Sequence, residues 1–328
     1  MSRWAVSRRT RRRLGRWVMP LAAVGGLALL AYAVADIGVD QILQTFSTLW
    51  PILPLVLAIT FFKYPLQAAA WRLALTPHMR PPWRASVAAT LSGDAVGYLT
   101  WAGPVTGEPL KAYLVRDLVP VAVGVTAGAA ERLLYNATAA IVLVAGAVLA
   151  FASPLDATRW LLTGSLIAAI GGGLAWWARA RRIRPAPGAT VPDPPRGVVA
   201  ALAHDLGRER PAALAAMLTI EVAQHMLLMC EAYVMLSAMG AQPALRTVVI
   251  FEGLSKAVNA AGEIVPARLG IAEGGTALLA GALGLGASYG LGLALMRRVR
   301  ALVWGAVGLL LLWQREHEAR RAIKDAAA

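Results

Sequence analysis

The sequence predicts an all-α integral membrane protein made of two inverted-topology repeats, each with three transmembrane helices and one re-entrant helical hairpin. Three observations support this fold class. Hydrophobic residues make up 58% of the 328 residues, and they gather in blocks of about 20, the length that a helix needs to cross a bilayer. Basic residues are concentrated in segments beside these blocks, as the positive-inside rule describes. A motif interrupted by proline occurs twice.

In each copy of this motif, an ionisable residue in a short apolar segment is followed by a proline and then by Gly and Glu. The first copy has Asp94, Pro104, Gly107 and Glu108, and the second has Lys256, Pro266, Gly270 and Glu273. Interrupted helices at corresponding positions of two halves are typical of binding sites within membrane transporters. We therefore expect a substrate site where the two copies meet.

The chain begins with a predicted cytoplasmic tail, because residues 1–16 contain seven arginines and no acid. The first repeat, residues 17–152, opens with a span at 17–34. The alternative for this span is a cleavable signal peptide, since Ala31-Tyr32-Ala33 resembles a cleavage site. A loop with two aspartates and no basic residue should then lie outside, before a second span from Trp50 to Trp71.

Residues 86–118 are predicted to form the first re-entrant hairpin. The stretch from Ser86 to Trp101 would be about 24 Å long as a helix, which is too short for an ordinary span. Gly103-Pro104 breaks this helix, and Pro109 to Leu118 resumes as a second half-helix. Arg84 before the first half-helix and Arg116 near the end of the second indicate that both ends lie on the cytoplasmic side.

The last span of the first repeat is predicted from Pro120 to Ala150. Gly124 and Gly128 have the spacing of small residues that allow close helix packing in membranes. Glu131 and Arg132 lie in the interior of this span. Ionisable residues at such depth are costly and usually functional.

The second repeat, residues 153–313, follows the same scheme in the opposite orientation. It has predicted spans at 160–177, 212–238 and 288–313, a Pro- and Arg-rich cytoplasmic linker at 179–210, and a hairpin at 247–283 made of helices 247–261 and 271–283. Residues 314–328 form a second basic cytoplasmic tail. An alternative that makes Met296 to Arg300 a loop leaves a final span of 13 residues, which is too short.

Many ionisable side chains are predicted to lie within the hydrocarbon region, where each costs about 2.5–3.5 kcal/mol to insert. We expect them to pair, to take up protons or to line water. The acids are Asp94, Glu108, Glu131, Glu221, Glu231, Glu252 and Glu273, and the bases are Lys63, Arg132, Lys256, Arg297, Arg298 and Arg300. Glu252 and Lys256 have the favourable i, i+4 order for an ion pair within one helix.

Several function classes are disfavoured. The single cysteine, Cys230, excludes an internal disulfide and a metal site built on cysteines. Glu221 and His225 share a helix face, but two ligands do not make a metal site, and a hydrogen-bonded stripe with Gln224 is the preferred interpretation. Neither a metal nor another cofactor is predicted. The net charge of +14 follows the membrane topology, and no nucleic-acid-binding motif accompanies it.

Arg132, Arg297 and Arg298 follow the motif prolines at similar distances, so we expect them to meet near the midplane. Arginine binds phosphate through its planar fork, and the N-terminus of a half-helix attracts anions. Glu108 and Glu273, at the starts of the resumed half-helices, would cap these N-termini until a substrate displaces them. These five residues are the predicted substrate-binding set. The predicted supporting residues are Asp94, Lys111, Glu131, Glu252 and Lys256.

Several segments resemble the lysylphosphatidylglycerol synthase transmembrane, or flippase-like, domain family. They are the segment from Gly103 to Leu114, the pairs Glu131-Arg132 and Glu252-Gly253, Pro266 to Gly270 with Glu273-Gly274, and the arginine-bearing last helix. The resemblance covers about residues 15–315. The run from Met296 to Arg300 and the triplet Glu273-Gly274-Gly275 are most similar to the branch associated with hopanoid biosynthesis.

The resemblance implies a multi-pass protein of the bacterial cytoplasmic membrane that translocates lipids or assists their processing, with both termini cytoplasmic. Membrane lipids with phosphate-bearing or other polar headgroups are the implied partners, with lipid-synthesis proteins as further candidates. The chain ends at Ala328, without room for the soluble domain that transfers lysine, so that activity is not expected. A flippase or scramblase is the leading hypothesis. The alternatives are an intramembrane lipid-modifying enzyme and a non-catalytic scaffold of a lipid-synthesis complex.

Overall fold

A computed structural model describes residues 31–32, 34–100, 104–152, 210–262 and 270–327. Secondary structure in these residues is helical, without a β-strand. The predicted span at 160–177, nearly all of the first span and of the linker at 179–210, and the break at Pro266 lie outside the described residues. The α-helices are α1 (Val39–Leu49), α2 (Leu53–Ala74), α3 (Trp83–Leu99), α4 (Pro104–Tyr113), α5 (Val121–Phe151), α6 (Pro211–Ala238), α7 (Leu245–Gly262), α8 (Ile271–Ala282) and α9 (Ala287–Ala327).

Proline and glycine set several helix boundaries. Pro104 and Pro211 are the first residues of α4 and α6, where a missing N–H costs nothing and the fixed φ suits a helix. Gly38 and Gly270 precede α1 and α8 with φ of 86° and 80°. Only glycine adopts this conformation without a steric penalty, so each marks a defined change of chain direction.

Within the described residues, three helical stretches are long and apolar enough to cross a membrane: Val39–Ala74, Val121–Phe151 and Pro211–Ala238. The first joins α1 and α2 through a short 3₁₀ turn at Trp50–Ile52. Only 22–28% of the most apolar part of each stretch is buried within the protein. The remaining apolar surface therefore requires lipid around it.

In the described part of the chain, the helices enclose two large apolar cores and a small third cluster around Ala277 and Leu291. The larger core includes Phe251, Leu236 and Met296 and is formed mainly by α5, α6, α7, α8 and α9. The smaller core surrounds the fully buried Trp71, whose indole N–H donates to the Gly124 carbonyl at 3.1 Å. Both cores flank the charged side chains in the interior of the protein, so those side chains are held by close packing on more than one side.

The structure differs from the sequence prediction in two places and adds helical structure to a third segment. The predicted loop before Trp50 contains α1, because its apolar residues recur at helical spacing and cover one face. The resumed half-helix of the first hairpin begins at Pro104 and not at Pro109, which lies inside α4. The predicted C-terminal tail is helical to Ala327, since α9 continues without a break.

Two helix boundaries agree with the prediction. Helix α3 ends at Leu99, close to the expected interruption at Gly103-Pro104. Helix α9 runs unbroken through Met296 to Arg300, which rules out a loop there, whereas the membrane span predicted at 288–313 stays a prediction. Its 41 residues give a helix about 60 Å long, roughly twice the hydrocarbon thickness.

Candidate functional site

A cluster of ionisable side chains lies where α2, α3, α4 and α5 meet. We call it the first cluster, and its members are Lys63, Asp94, Glu108, Lys111, Glu131 and Arg132. At its centre, the Lys111 ammonium is 2.8 Å from the Glu108 carboxylate and 2.7 Å from that of Glu131. The side chains of Lys111 and Glu131 are only 3% and 2% exposed, so neither charge is hydrated and each depends on the other.

Arg132 lies at the more open side of the first cluster. One of its terminal N–H groups donates to the Glu108 carboxylate at 3.2 Å, and the side chain is 28% exposed. Its Nε has no hydrogen-bond partner in the part of the chain that the structure describes. The guanidinium therefore retains donors for a further acceptor, unlike the fully enclosed ammonium of Lys111.

Asp94 occupies the opposite edge of the same cluster. Its carboxylate is 3.6 Å from the Lys63 ammonium and accepts a hydrogen bond from Gln67 at 3.3 Å. Both partners come from α2, so Asp94 ties the first predicted hairpin to that helix. With three acids and three bases, the first cluster is neutral overall, as an enclosed group of charges must nearly be.

A second cluster lies between α6, α7 and α9. Its members are Glu231, Glu252, Lys256, Arg297 and Arg300. Glu252 accepts from Lys256 at 2.9 Å and from Arg297 at 2.7 Å, so the predicted i, i+4 pair is present and is shared with the last helix. Glu231 contacts both Arg297 and Arg300, which places every acid of this cluster against arginine.

Arg298 points to a different neighbour. Its guanidinium contacts the Glu273 carboxylate at the start of α8. The other oxygen of Glu273 accepts the backbone N–H of Gly270 at 2.8 Å, so Glu273 caps α8 as the sequence predicted. The carboxylate therefore neutralises the arginine and satisfies the helix end at once.

Glu108 does not have the capping position that the sequence predicted. Helix α4 starts at Pro104, which places Glu108 one turn inside the helix, and its carboxylate oxygens contact Lys111 and Arg132. The difference follows from the earlier helix start. Glu108 is thus an ion-pair partner of α5 and not a helix cap.

A group of polar side chains, which we call the polar bridge, lies between the two clusters and includes Tyr135, Thr138 and His225. The Tyr135 ring lies 5.8 Å from the Arg132 guanidinium and 4.9 Å from the His225 ring. His225 is also 3.1 Å from the Thr138 hydroxyl. Gln224, beside it, donates to Glu221 at 2.8 Å, which agrees with the predicted polar stripe. Among the described residues, no group of three or more His, Cys, Asp or Glu side chains could hold a metal ion.

The predicted site residues are thus divided between the two sides of this bridge. Arg132 belongs to the first cluster, whereas Arg297 belongs to the second and Arg298 pairs with α8. The sequence did not single out Tyr135 or the pairing of Arg300 with Glu231. Tyr135 follows Arg132 by three residues on α5, a spacing that places both on one helix face, and this signal identifies it in retrospect.

The family comparison agrees with the helices and the interior charges. Residues 17–308 match the family model described as the lysylphosphatidylglycerol synthase TM region. No curated protein and no solved structure matches the chain. The match covers most of the sequence and includes both charge clusters. The chain therefore belongs to the lysylphosphatidylglycerol synthase transmembrane family, and it is a membrane protein of lipid metabolism or transport.

Proposed function

We propose that this protein translocates a polar or anionic lipid across the bacterial cytoplasmic membrane, as a flippase or scramblase. In this proposal the headgroup follows a polar path between the two interrupted helix pairs, while the acyl chains remain in lipid. A charged group is costly to place in hydrocarbon. The charged side chains along this path would give the headgroup a polar environment within the membrane. The proposed substrate-binding residues are Glu108, Arg132, Glu273, Arg297 and Arg298.

One observation carries this proposal. The arginines paired with the interrupted helices are partly open, with Arg132 28% and Arg298 20% exposed, whereas the supporting Lys111 and Glu131 are almost fully enclosed. An enclosed ion pair such as that of Lys111 and Glu131 is inaccessible to a ligand, so it can act only within the protein. An arginine that is paired but accessible is suited to exchange its carboxylate for the phosphate of a headgroup.

The supporting residues have a separate role in this proposal. Lys111 and Glu131 hold α4 against α5, and Asp94 holds the first hairpin against α2. Glu252 and Lys256 fix Arg297 from α7. These contacts hold the helices that carry Arg132 and Arg298 in place. The supporting residues would therefore affect lipid movement by positioning the two arginines, without binding the headgroup themselves.

We also propose that α3 with α4, and α7 with α8, are two re-entrant hairpins. Their 17, 10, 18 and 12 residues give helices of about 25, 15, 27 and 18 Å, each shorter than the roughly 30 Å of hydrocarbon. Within the first hairpin, the hydroxyls of Thr100 and Thr106 are 2.6 Å apart. A Cβ on Gly93 would be 2.8 Å from the Gly107 carbonyl oxygen, so the two helices pack closely.

The inverted repeat is supported by matching contacts in the two halves. In each half an acid on the second hairpin helix pairs with an arginine inside the following span, which is 24 residues later for Glu108 and Arg132. The corresponding pair is Glu273 and Arg298, at positions 25 residues apart (298 − 273).

Thiol labelling tests the hairpin. In a Cys230→Ser background, we would label Arg84→Cys and Arg116→Cys variants with a membrane-impermeant reagent in inverted and right-side-out vesicles. A re-entrant hairpin predicts that both positions label from the same side. Labelling from opposite sides would show that this segment spans the bilayer and would overturn the proposed architecture.

Reconstitution tests the function. Purified protein in liposomes should accelerate the movement of fluorescent lipids between leaflets, as measured by chemical quenching, for at least one of several anionic, aminoacylated, polyprenyl and hopanoid lipids. Rates equal to those of protein-free vesicles for all of them would contradict translocation. Formation of a new lipid product from lipid and a soluble donor would instead favour the enzyme alternative.

A further inference from the structure

Three arginines gather at the end of α2, away from both charge clusters. Arg72 lies in the last turn of α2, Arg80 in the following loop and Arg210 just before α6. Burial, and then the positive charges of Arg210 and Arg72, lower the pKa of Arg80. The three cations are therefore close enough for their charges to act on one another.

Two of these arginines lack an acidic partner. In the part of the chain that the structure describes, neither Arg72 nor Arg80 forms an ion pair, and the Nε of each is buried without a hydrogen-bond acceptor. Buried polar groups are normally satisfied. An oxyanion between the two side chains would accept these donors.

The surrounding contacts hold the guanidinium groups in place. Arg72 lies over the Trp83 ring at 5.2 Å, which fixes its planar fork by a cation–π interaction. Arg210 donates to the Leu73, Ala74 and Leu75 carbonyls at 2.9–3.3 Å. Arg210 therefore anchors the end of α2 and contributes its charge, while Arg72 and Arg80 keep donors for a ligand.

An apolar cavity adjoins this group. It has a volume of about 270 Å³ and lies between the end of α2 and the start of α5, with Leu75, Val123 and Ala127 in its lining. Of the three arginines, Arg210 lines the cavity, and Met79 of the lining directly precedes Arg80. Trp83 is 45% exposed, and tryptophan is favoured at the membrane interface. A cationic group beside an apolar cavity at this level suits an amphiphile better than a free ion.

We propose that Arg72 and Arg80 bind the phosphate group of an anionic amphiphile, with an apolar part of the ligand in the adjoining cavity. The shared chemistry is a phosphate held by two guanidinium forks. The site lies outside the proposed translocation path and on the face that the sequence predicts to be cytoplasmic. Binding there does not depend on whether the protein moves lipids.

Equilibrium binding to the purified full-length protein tests this site. The probe is dihexanoyl phosphatidylglycerol, with uncharged dihexanoylglycerol and inorganic phosphate as competitors. The double variant Arg72→Gln/Arg80→Gln should bind the probe about tenfold or more weakly, because it loses the charge-assisted hydrogen bonds of both forks. The matched control is Arg116→Gln, which removes an exposed arginine stacked on Tyr113 at 4.1 Å and should leave binding unchanged.

The outcomes are distinct. Unchanged binding by the double variant, or equal competition by the uncharged lipid, would overturn the phosphate site. Competition by inorganic phosphate at the concentration of the probe would overturn the amphiphile and assign a free phosphate. Since Arg80 lies in a loop, Arg80→Lys provides a variant that keeps the fold and the charge and loses the fork. It should show an intermediate loss of affinity, and wild-type affinity would contradict the proposal.

Discussion

The Arg132 guanidinium donates to the Glu108 carboxylate at 3.2 Å and thereby joins the interior of a long span to an interrupted helix. The contact is made by one N–H group of an arginine that is still partly open. In the proposed function a phosphate replaces the carboxylate at Arg132, and Glu108 keeps the Lys111 ammonium as its partner. The pair therefore combines a stable resting contact with an exchangeable one.

Replacing Arg132 tests this exchange. Arg132→Gln should reduce lipid movement in reconstituted vesicles at least tenfold, which corresponds to about 1.4 kcal/mol of lost interaction with the headgroup. Thermal unfolding should change less than on loss of the enclosed Lys111, because Arg132 is partly open and Glu108 retains Lys111. The control is Arg246→Gln, which removes an exposed arginine bonded only to the Leu149 carbonyl among the described groups and should leave the rate unchanged. Full activity of Arg132→Gln would show that Arg132 does not contact the headgroup during translocation.

Replacing a residue of the enclosed pair Lys111 and Glu131 should, in contrast to Arg132→Gln, mainly reduce the stability of the protein. Lys111→Met leaves two carboxylates without their ammonium in an enclosed site, and breaking such a pair costs about 3–5 kcal/mol. Unfolding in detergent should therefore occur at a clearly lower temperature. Adding Glu131→Gln should recover part of this stability, since one of the stranded charges is then removed.

A double-mutant cycle measures that recovery. The two single variants and the double variant should show a coupling free energy of about 1 kcal/mol or more, within the range of residues in contact. Additive effects would mean that the 2.7 Å contact contributes nothing specific to stability. Such a result would also weaken the view that Lys111 positions Arg132.

The close approach of the first hairpin can be tested with two glycines. A Cβ on Gly93 would lie 2.8 Å from the Gly107 carbonyl oxygen and 3.2 Å from the Lys111 Cβ. Gly93→Ala should therefore force α3 and α4 apart and cost about 1–3 kcal/mol of stability, as overpacking does. It should also slow lipid movement, because α4 carries Glu108.

Gly305 is the matched control. It lies in the same way inside a helix, but a Cβ there would meet nothing within 4 Å. Gly305→Ala should be neutral or stabilise the protein by up to about 1 kcal/mol, because alanine loses less backbone freedom in a helix. Equal effects of both substitutions on thermal unfolding would contradict a tightly packed hairpin.

Sequence reasoning identified the helices and the interior charges because both depend on local pattern. Apolar block length and the positions of proline predicted α5, α6, α7 and α8 to within a few residues. The i, i+4 order of Glu252 and Lys256 predicted their pairing. Each of these features is determined by neighbours along the chain, so one sequence contains the information.

The arrangement of the arginines depends on tertiary packing, which the sequence pattern does not contain. Similar spacing from the prolines predicted that Arg132, Arg297 and Arg298 meet, but spacing along the chain does not fix which neighbouring helix a side chain faces. Arg297 turns toward Glu252 on α7, whereas Arg132 turns toward Glu108 on α4. This choice is made by tertiary packing. Likewise, the start of α4 at Pro104 moved Glu108 from a cap to an ion pair.

Glu273 makes one contact that stabilises α8 and another with Arg298, so substitutions of Glu273 can distinguish a structural role from a role in transport. One of its oxygens accepts the Gly270 N–H at 2.8 Å, and the other contacts Arg298. Glu273→Gln keeps an acceptor for the helix cap but removes the charge opposite Arg298. We expect nearly unchanged thermal unfolding and an altered rate of lipid movement, because only the electrostatic partner of the arginine is lost.

Glu273→Ala removes both interactions and serves as the comparison. It should cost about 1 kcal/mol more than the glutamine variant, the usual contribution of an N-terminal cap. Transport by the two variants should change to the same degree if the carboxylate acts only through Arg298. Wild-type transport by Glu273→Gln, together with instability of Glu273→Ala, would instead restrict Glu273 to capping α8, and Arg132 would then be the principal headgroup contact of the proposed path.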